Sequence, residues 1–450
     1  MIIYNLNLFT LDLLAKDFTA RFPPAKPVQG GPTACSRALA IIHLAARDAY
    51  AAVTGAYKPI LTGLPASTLG QTEALGIAAA IGAALAAARL LYNQKALLDF
   101  INTRVGGLTA GQDPAALVYG AVVGKAWFDS RAADGSADMT MATSSDEPGH
   151  YRADPVSRTP ALGAKWGNVV PFILKDVKTE AVLKPPPAID SFRYARSFDD
   201  VVVNGRDDIE RRDTQYRDHA TIGIFWGYDG SNKLGTPPRL YNQVVVATAE
   251  FKALSPAKQL NVLAAINAAM ADAGIAAWYW KYRYDFWRPV TAIREAQEGW
   301  GPTGKGDGNG FRTNDGDPFW LPLGAPQTNP LTDPGTKRMI PTLNSVTPNF
   351  PAYPSGHATF GTACFQTFAA LVGKETGDIT VAFKSDEFAV GTLDGAGVAR
   401  PLWEQTFTLD EAIEQNKVSR IYLGVHWDFD ADGGETVGLQ IAAKVANAFA

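Results

Sequence analysis

Apolar residues recur at helical spacing along most of the chain. The first predicted helix covers 33–57, where Ala38-Leu39-Ala40-Ile41-Ile42 opens a segment apolar over most of its surface, interrupted mainly by Arg37, Arg47 and Asp48. Further helices are predicted over 69–103 and 110–132, and no strand-like alternation runs long enough to compete there. The pattern then lapses. Residues 133–155 are rich in Asp, Ser, Gly and Thr, and Lys184-Pro185-Pro186-Pro187 stops any helix. Helices resume over 206–222 and after 239. Ser255-Pro256 is an N-cap with proline at the first helical position, and Leu260, Leu263, Ile266 and Met270 carry a helix toward Trp287, where Pro289 interrupts it. Residues 300–350 read as a surface excursion. Two more helices follow at 356–373, with Phe365, Phe368 and Val372 on one stripe, and at 429–449. No repeat of 20–50 residues is present. The pattern predicts a mainly α fold of two helical bundles: an N-terminal helical half (1–132), an irregular Pro-rich crossover (133–204) and a C-terminal bundle (205–450) carrying the chemistry.

Composition narrows the function. The 450 residues include 41 Lys and Arg against 45 Asp and Glu, a formal charge of −4, which disfavours nucleic acid as the main partner. With 46% hydrophobic residues, 42 Gly and 29 Pro, the chain is a folding one. Two cysteines, Cys35 and Cys364, exclude a disulfide framework and a cysteine-type zinc site. The first residues lack a basic region before their apolar run, and Lys16-Asp17 interrupts it, so no convincing signal peptide is read. Ala74 to Ala88, uncharged but short and mostly Ala and Gly, reads as a buried helix rather than a membrane span, and the expectation is a soluble protein of unknown compartment.

Three segments carry candidate chemistry. In Lys281-Tyr282-Arg283-Tyr284-Asp285-Phe286-Trp287-Arg288-Pro289, Lys281 and Arg288 are seven apart on a predicted helix and so share one face two turns apart, with Trp278 on the same side. A solvated basic face is the plain alternative. The surrounding aromatic residues argue instead for partly buried cations, and a buried cation requires an anion. In Tyr353-Pro354-Ser355-Gly356-His357-Ala358, Ser355 suits an N-cap and Gly356 lets an anion reach a backbone amide at a helix N-terminus, although a simple cap would explain this segment by itself. In Ser419-Arg420 through Asp430, Arg420 offers a guanidinium fork, and Asp430 lies at i+4 from His426, where it could orient the imidazole. Together the groups suit a tetrahedral or trigonal-bipyramidal oxyanion with an apical histidine.

The ordered set Lys-x6-Arg-Pro, Pro-Ser-Gly-His and Ser-Arg-x5-His resembles the signature of the type 2 phosphatidic acid phosphatase and vanadium haloperoxidase superfamily, over Lys281 to Asp430. Contexts outside those motifs are similar to vanadium-dependent chloroperoxidases: Asn349 to Gly361, Phe225 to Ser231, Gly235-Thr236-Pro237-Pro238-Arg239 and Gly316-Asp317-Pro318-Phe319-Trp320. With them the likeness covers 205–450, and the helix at 33–57 resembles the first helix of bacterial members. The resemblance implies vanadate, as V(V), held by Lys281, Arg288, Arg420, Ser355 and the Gly356 amide. Within it, His426 is the metal ligand and His357 the acid–base residue, and Lys281 also polarises the oxidant. Asp229 is implied to pair with Arg420, and Trp278 and Phe350 to line the halide side. Phenylalanine at 350, where algal bromoperoxidases typically have histidine, leans toward the chloroperoxidase type. The implied partners are hydrogen peroxide, halide and a small organic acceptor, with no membrane span and with room for a homo-oligomer.

The same superfamily leaves a second reading: an acid phosphatase with phosphate in the cage, His426 as nucleophile and His357 protonating the leaving oxygen. Its membrane members have several spans and its soluble bacterial phosphatases are much shorter, so haloperoxidase is favoured. A non-catalytic oxyanion-binding protein is the third reading, disfavoured by the complete set of histidines and cations. His43 reads as a satisfied core histidine, His150 and His219 as structural or exposed, and Asp428 as facing solvent or a neighbouring helix. Asp307-Gly308-Asn309-Gly310 hints at calcium but lacks the remaining EF-type spacing.

Overall fold

Ser255 accepts a hydrogen bond from Lys258 N–H at the start of the longest helix, which runs from Pro256 to Tyr284 and is buried along most of its length. The computed structural model that contains it describes residues 1–19, 26–206, 214–230, 233–296, 316–324, 347–386 and 404–450, the side chains of 214–217 excepted. The Asp307–Gly310 segment, most of the predicted 300–350 excursion and residues 207–213 of the predicted 206–222 helix lie outside these residues.

The first half contains α1 (Ile2–Asp17), α2 (Gly31–Thr54), α3 (Glu73–Leu91), α4 (Lys95–Thr109) and α5 (Pro114–Ser130). Next come α6 (Val177–Glu180), α7 (Phe192–Asn204), α8 (Thr214–Phe225), α9 (Pro237–Ala247) and α10 (Ala249–Ala253). The long helix is α11 (Pro256–Tyr284), followed by α12 (Pro289–Glu295) and α13 (Gly356–Val372). A hairpin of β1 (Thr380–Lys384) and β2 (Glu404–Thr408) precedes α14 (Leu409–Tyr422) and α15 (Asp428–Phe449). The fold is mainly α, as the pattern predicts.

Helix α11 is the axis of the fold. It packs on α2 from the first half and on α13 and α15 from the second, and one apolar core runs through both groups. Helices α3 and α11 are long and apolar enough to cross a membrane. Here both serve as core helices, and the apolar stretch of α11 is wholly buried. The Ala/Gly composition of α3 has a packing reason. Gly82, Gly120 and Gly124 let α3 and α5 touch backbone to backbone, and a methyl group at Gly120 would collide with the Ala79 carbonyl. Gly120→Val is therefore expected to destabilise the fold by about 2 kcal/mol or more through overpacking. Gly107→Ala in α4 meets nothing within 4 Å and should stabilise slightly, by about 0.5–1 kcal/mol. Urea midpoints of the two variants check this pair.

Several local expectations change. Helix α1 was not foreseen, and the predicted 69–103 helix is two, broken between Leu91 and Lys95. The crossover contains α7, whose Tyr194, Phe198 and Val201 are buried. The β-hairpin pairs Thr380 with Thr408 through Lys384 with Glu404, and its Phe383 and Phe407 rings meet Phe225 edge-on. Lys281 and Arg288 do not share a helix. Helix α11 ends at Tyr284 with Asp285 in the left-handed region (φ 51°), and Arg288 is the N-cap of α12. Their convergence comes from that turn rather than from helical periodicity. His43 is buried, burial lowers its pKa to about 3, and its Nε2 has no hydrogen-bond partner among the described residues. It is a neutral core histidine but not a satisfied one. His150 contacts Asp285 at 3.1 Å and His219 stacks on Tyr422. Asp428 faces α7, where it pairs with Arg193.

Candidate active site

Five pieces of backbone converge on one point. They are the C-terminal turns of α11, the turn into α12, the 347–355 segment entering α13, the end of α14, and the turn before α15. Ser355 caps α13, its Oγ accepting from Ala358 N–H at 3.4 Å. Its own O–H is thereby left available to donate. Gly356 opens α13, so its N–H belongs to the first-turn amides that have no intrahelical partner. That end of a helix favours an anion. The turn after α14 uses Gly424 at φ 70°, where its backbone lies against Gly205. It delivers His426 to the site.

His426 is oriented from behind. Its Nδ1 lies 2.7 Å from Asp430 Oδ2, which also accepts Trp427 N–H at 3.0 Å. Burial pushes the Asp430 carboxyl up to about 7, but both contacts on Oδ2 suit N–H donors and thus the carboxylate. Burial, followed by the nearby Arg288 and Lys281 charges, drives His426 well below the ordinary imidazole range. The ring is therefore neutral, with its proton on Nδ1 and the Nε2 lone pair on the side of Arg288, whose Nη1 is 2.9 Å away.

Arg288 also donates from Nη1 to Val425 O at 2.7 Å and from Nε to Phe350 O at 2.8 Å. Burial lowers its pKa to about 10. Arg420 forms a two-point pair with Asp229, at 2.9 and 3.1 Å. The Asp229–Arg420 pairing implied by the resemblance is thus present, and it occupies both terminal nitrogens of the fork. Arg288 Nη2 and Arg420 Nε are buried without a hydrogen-bond partner among the described residues. Two unmet guanidinium donors in one buried site are costly unless an acceptor takes them.

Lys281 is fully buried, and its three N–H groups match three carbonyls: Pro351 at 2.8 Å, Ala352 at 2.9 Å and Pro354 at 2.6 Å. Burial and then Arg288 lower its pKa well below the usual lysine range. Its contribution to an anion in this conformation is charge rather than a direct donor. Phe350 lies against both cations, 5.2 Å from Lys281 Nζ and 5.1 Å from the Arg288 guanidinium carbon, and its ring is 4.6 Å from that of Trp278.

His357 stands opposite, with Nε2 2.8 Å from Gly227 O and 3.6 Å from Asp229 Oδ1. Bonding to a carbonyl requires Nε2 to carry a proton, so Nδ1 is the acceptor of the neutral ring. Burial, then Arg420, lowers the His357 pKa to about 3. Its backbone carbonyl accepts from Asn416 Nδ2 at 2.8 Å and Tyr241 O–H at 3.2 Å. Gly227, Tyr241, Asn416 and the three carbonyls around Lys281 were not read from the sequence. Main-chain oxygens have no residue signature, and Tyr241 and Asn416 belong to no motif.

Asp229, Trp278, Phe350, Gly356, His357, Arg420 and His426 line one cavity of about 380 Å³. The donor set fits vanadate: buried cations, a helix N-terminus, two unmet guanidinium N–H groups and an imidazole lone pair suit a negatively charged oxyanion with one nitrogen ligand.

The result is a mainly α protein whose buried cations and unmet guanidinium donors suit an oxyanion. Comparison with known proteins makes this particular. The family model for the VCPO second helical-bundle domain matches residues 261–450. The vanadium chloroperoxidase of Curvularia inaequalis is 34% identical over 261 residues, 49% of this chain and 38% of that protein, so the match spans well under half of the curated relative's length. The first bacterial vanadium-dependent iodoperoxidase superposes with a TM-score of 0.70 at 20% identity, covering 98% of this chain and 95% of that one. The holo-type bacterial vanadium-dependent chloroperoxidase superposes with a TM-score of 0.65 at 16% identity, covering 94% of each chain. The chain resembles chloroperoxidases over residues 261–450 and shares its fold with vanadium haloperoxidases of known structure over nearly its whole length.

Proposed function

We propose that the protein is a vanadium-dependent haloperoxidase, which oxidises halide with hydrogen peroxide to a hypohalous acid equivalent that halogenates a small organic acceptor. The observation that carries this reading is the pair of buried cations, Lys281 and Arg288, with no carboxylate in ion-pair contact among the described residues, beside the free donors of Arg288 and Arg420 and the His426 lone pair. The 34% identity to a vanadium chloroperoxidase supports the choice of ligand and reaction. The division into a supporting half (1–132), a crossover (133–204) and a vanadate-binding bundle (205–450) belongs to the same reading.

Bound vanadate would supply a Lewis-acidic V(V) centre that activates hydrogen peroxide without changing its own oxidation state. His426 Nε2 would hold the metal, and Asp430 fixes the ring so that this nitrogen carries the lone pair, which faces Arg288 Nη1 at 2.9 Å in this structure. Arg288 Nη2, Arg420 Nε, the Ser355 hydroxyl and the Gly356 amide would take the oxyanion's oxygens. The positive charge of Lys281 would offset charge that develops on oxygen as halide attacks. Neutral His357 would accept a proton from incoming peroxide at Nδ1, and the imidazolium formed keeps its Gly227 bond and gains attraction from Asp229. Trp278 and Phe350 would keep water from the halide side.

The test is reconstitution with orthovanadate, then halogenation with peroxide and chloride, bromide or iodide, beside a phosphate-ester assay. Turnover with any halide supports the reading. Ester hydrolysis with no halide oxidation overturns it. Because the cationic cage accepts any tetrahedral oxyanion, inorganic phosphate is expected to compete with vanadate. Isothermal titration of vanadate in excess phosphate checks this: unchanged affinity would place the two anions at different sites.

A further inference from the structure

The cavity above the site is larger than halide and peroxide need, and its outer wall comes from parts of the chain that carry none of the recognised motifs. At about 380 Å³ it lies within the range of about 300–1,000 Å³ typical of small-molecule pockets. Phe18 follows α1, Pro32 lies in the first turn of α2, and Leu162 comes from the crossover. They face Trp278, Phe350 and Phe360 across the same space.

Leu162 is held firmly. Its carbonyl accepts from Trp278 Nε1 at 3.2 Å and from Tyr282 O–H at 2.7 Å, and its N–H donates to Asn349 O at 2.7 Å. Its side chain lies against Gly31, where a Cβ would come within 2.9 Å of Leu162 Cδ2. The crossover is thereby fastened to both the N-terminal half and the residues beside the cations. Apart from Asp229, His357, Arg420 and His426 at the base, none of the described lining residues is ionisable. Thr347, 2% exposed, also lines the cavity, and its Oγ1 has no hydrogen-bond partner among the described residues.

We infer that this cavity is an acceptor-binding chamber for a neutral, electron-rich aromatic of the phenol type, held so that halogen is transferred before hypohalous acid escapes. The inference rests on the proposed halide oxidation for its chemistry. Aromatic and aliphatic walls suit a flat ring, the lack of charge on the described walls disfavours an ionic acceptor, and the Thr347 hydroxyl, unpartnered among the described residues, suits a polar substituent. In the transfer, the O–X bond of HOX breaks and a C–X bond forms at the ring. The departing hydroxide takes the ring proton and leaves as water.

Binding and chemistry can be read separately. The fluorescent probe 2-naphthol, titrated into the vanadate-free full-length protein, should bind saturably at one site. Leu162→Trp, which fills the chamber, should weaken binding at least tenfold. Thr347→Val, which keeps shape and removes the hydroxyl, should weaken it about fivefold, as the loss of one neutral hydrogen bond does. Far-UV circular dichroism verifies that each variant is folded. With vanadate, peroxide and bromide, wild-type protein should give a ratio of brominated naphthols different from that of free hypobromous acid. Triiodide formation from iodide and peroxide tests halide oxidation itself without an acceptor. Absent triiodide together with saturable naphthol binding would sink the haloperoxidase reading and leave the chamber. Triiodide formation with no saturable binding, or with the product ratio of the free reagent, would overturn the chamber.

Discussion

His426→Ala is expected to hold vanadate at least about a hundredfold more weakly than the unaltered chain. Removing an outer partner of a metal ligand typically costs about 10–100-fold in affinity, and here the ligand itself is lost. The remaining charges of Lys281, Arg288 and Arg420 would still attract an oxyanion, so binding should weaken rather than vanish. The imidazole also accepts from Arg288 Nη1, and its removal frees that donor in the site. Equilibrium dialysis against vanadate measures the loss directly. Equal affinity in the two proteins would remove His426 from the ligand role, whatever the activity.

His357→Ala should show the opposite division. It should keep vanadate within about threefold, because no bond to the metal is assigned to it, while kcat/KM for halide oxidation falls by about 10²–10⁴, the usual worth of a positioned acid–base group. The pH profile separates this role from a structural one. Without an anion, the His357 pKa is depressed to about 3 by burial and Arg420. A bound oxyanion adds negative charge and raises it. The working form is the neutral ring, so wild-type turnover should fall as pH drops through that raised value, on an acid limb lying above about 3. The limb should be missing in His357→Ala. A stopped-flow pH series on both proteins decides it. An unchanged limb in the variant would assign the titration to another group.

Much of the site was legible because its chemistry restricts residue type. An oxyanion needs Lys281, Arg288 and Arg420, a helix cap needs a residue such as Ser355, and a fixed imidazole needs a partner within reach such as Asp430. Asp229 was reached by likeness to chloroperoxidase segments, not from spacing, because it lies 191 positions from Arg420. The helical core was legible from periodicity, but boundaries were not. The two-helix break between Leu91 and Lys95 and the amphipathic helix α7 inside the Pro-rich stretch both escaped. The short hairpin escaped because five residues per strand give too little alternation to register.

By itself the sequence determined a mainly α chain, the chemical kinds gathered at the site and the anion class they suit, since these depend on residue identity and local spacing. Tertiary structure decided how the groups are spent. It directs all three N–H groups of Lys281 to carbonyls, commits the fork of Arg420 to Asp229, and sets His357 on the Gly227 oxygen. It also brings Phe18 and Leu162 from outside the motifs to line the cavity that Arg420 and His426 share. The physical reason is that main-chain acceptors and apolar walls carry no residue signature, and their positions follow only from how distant segments pack around α11.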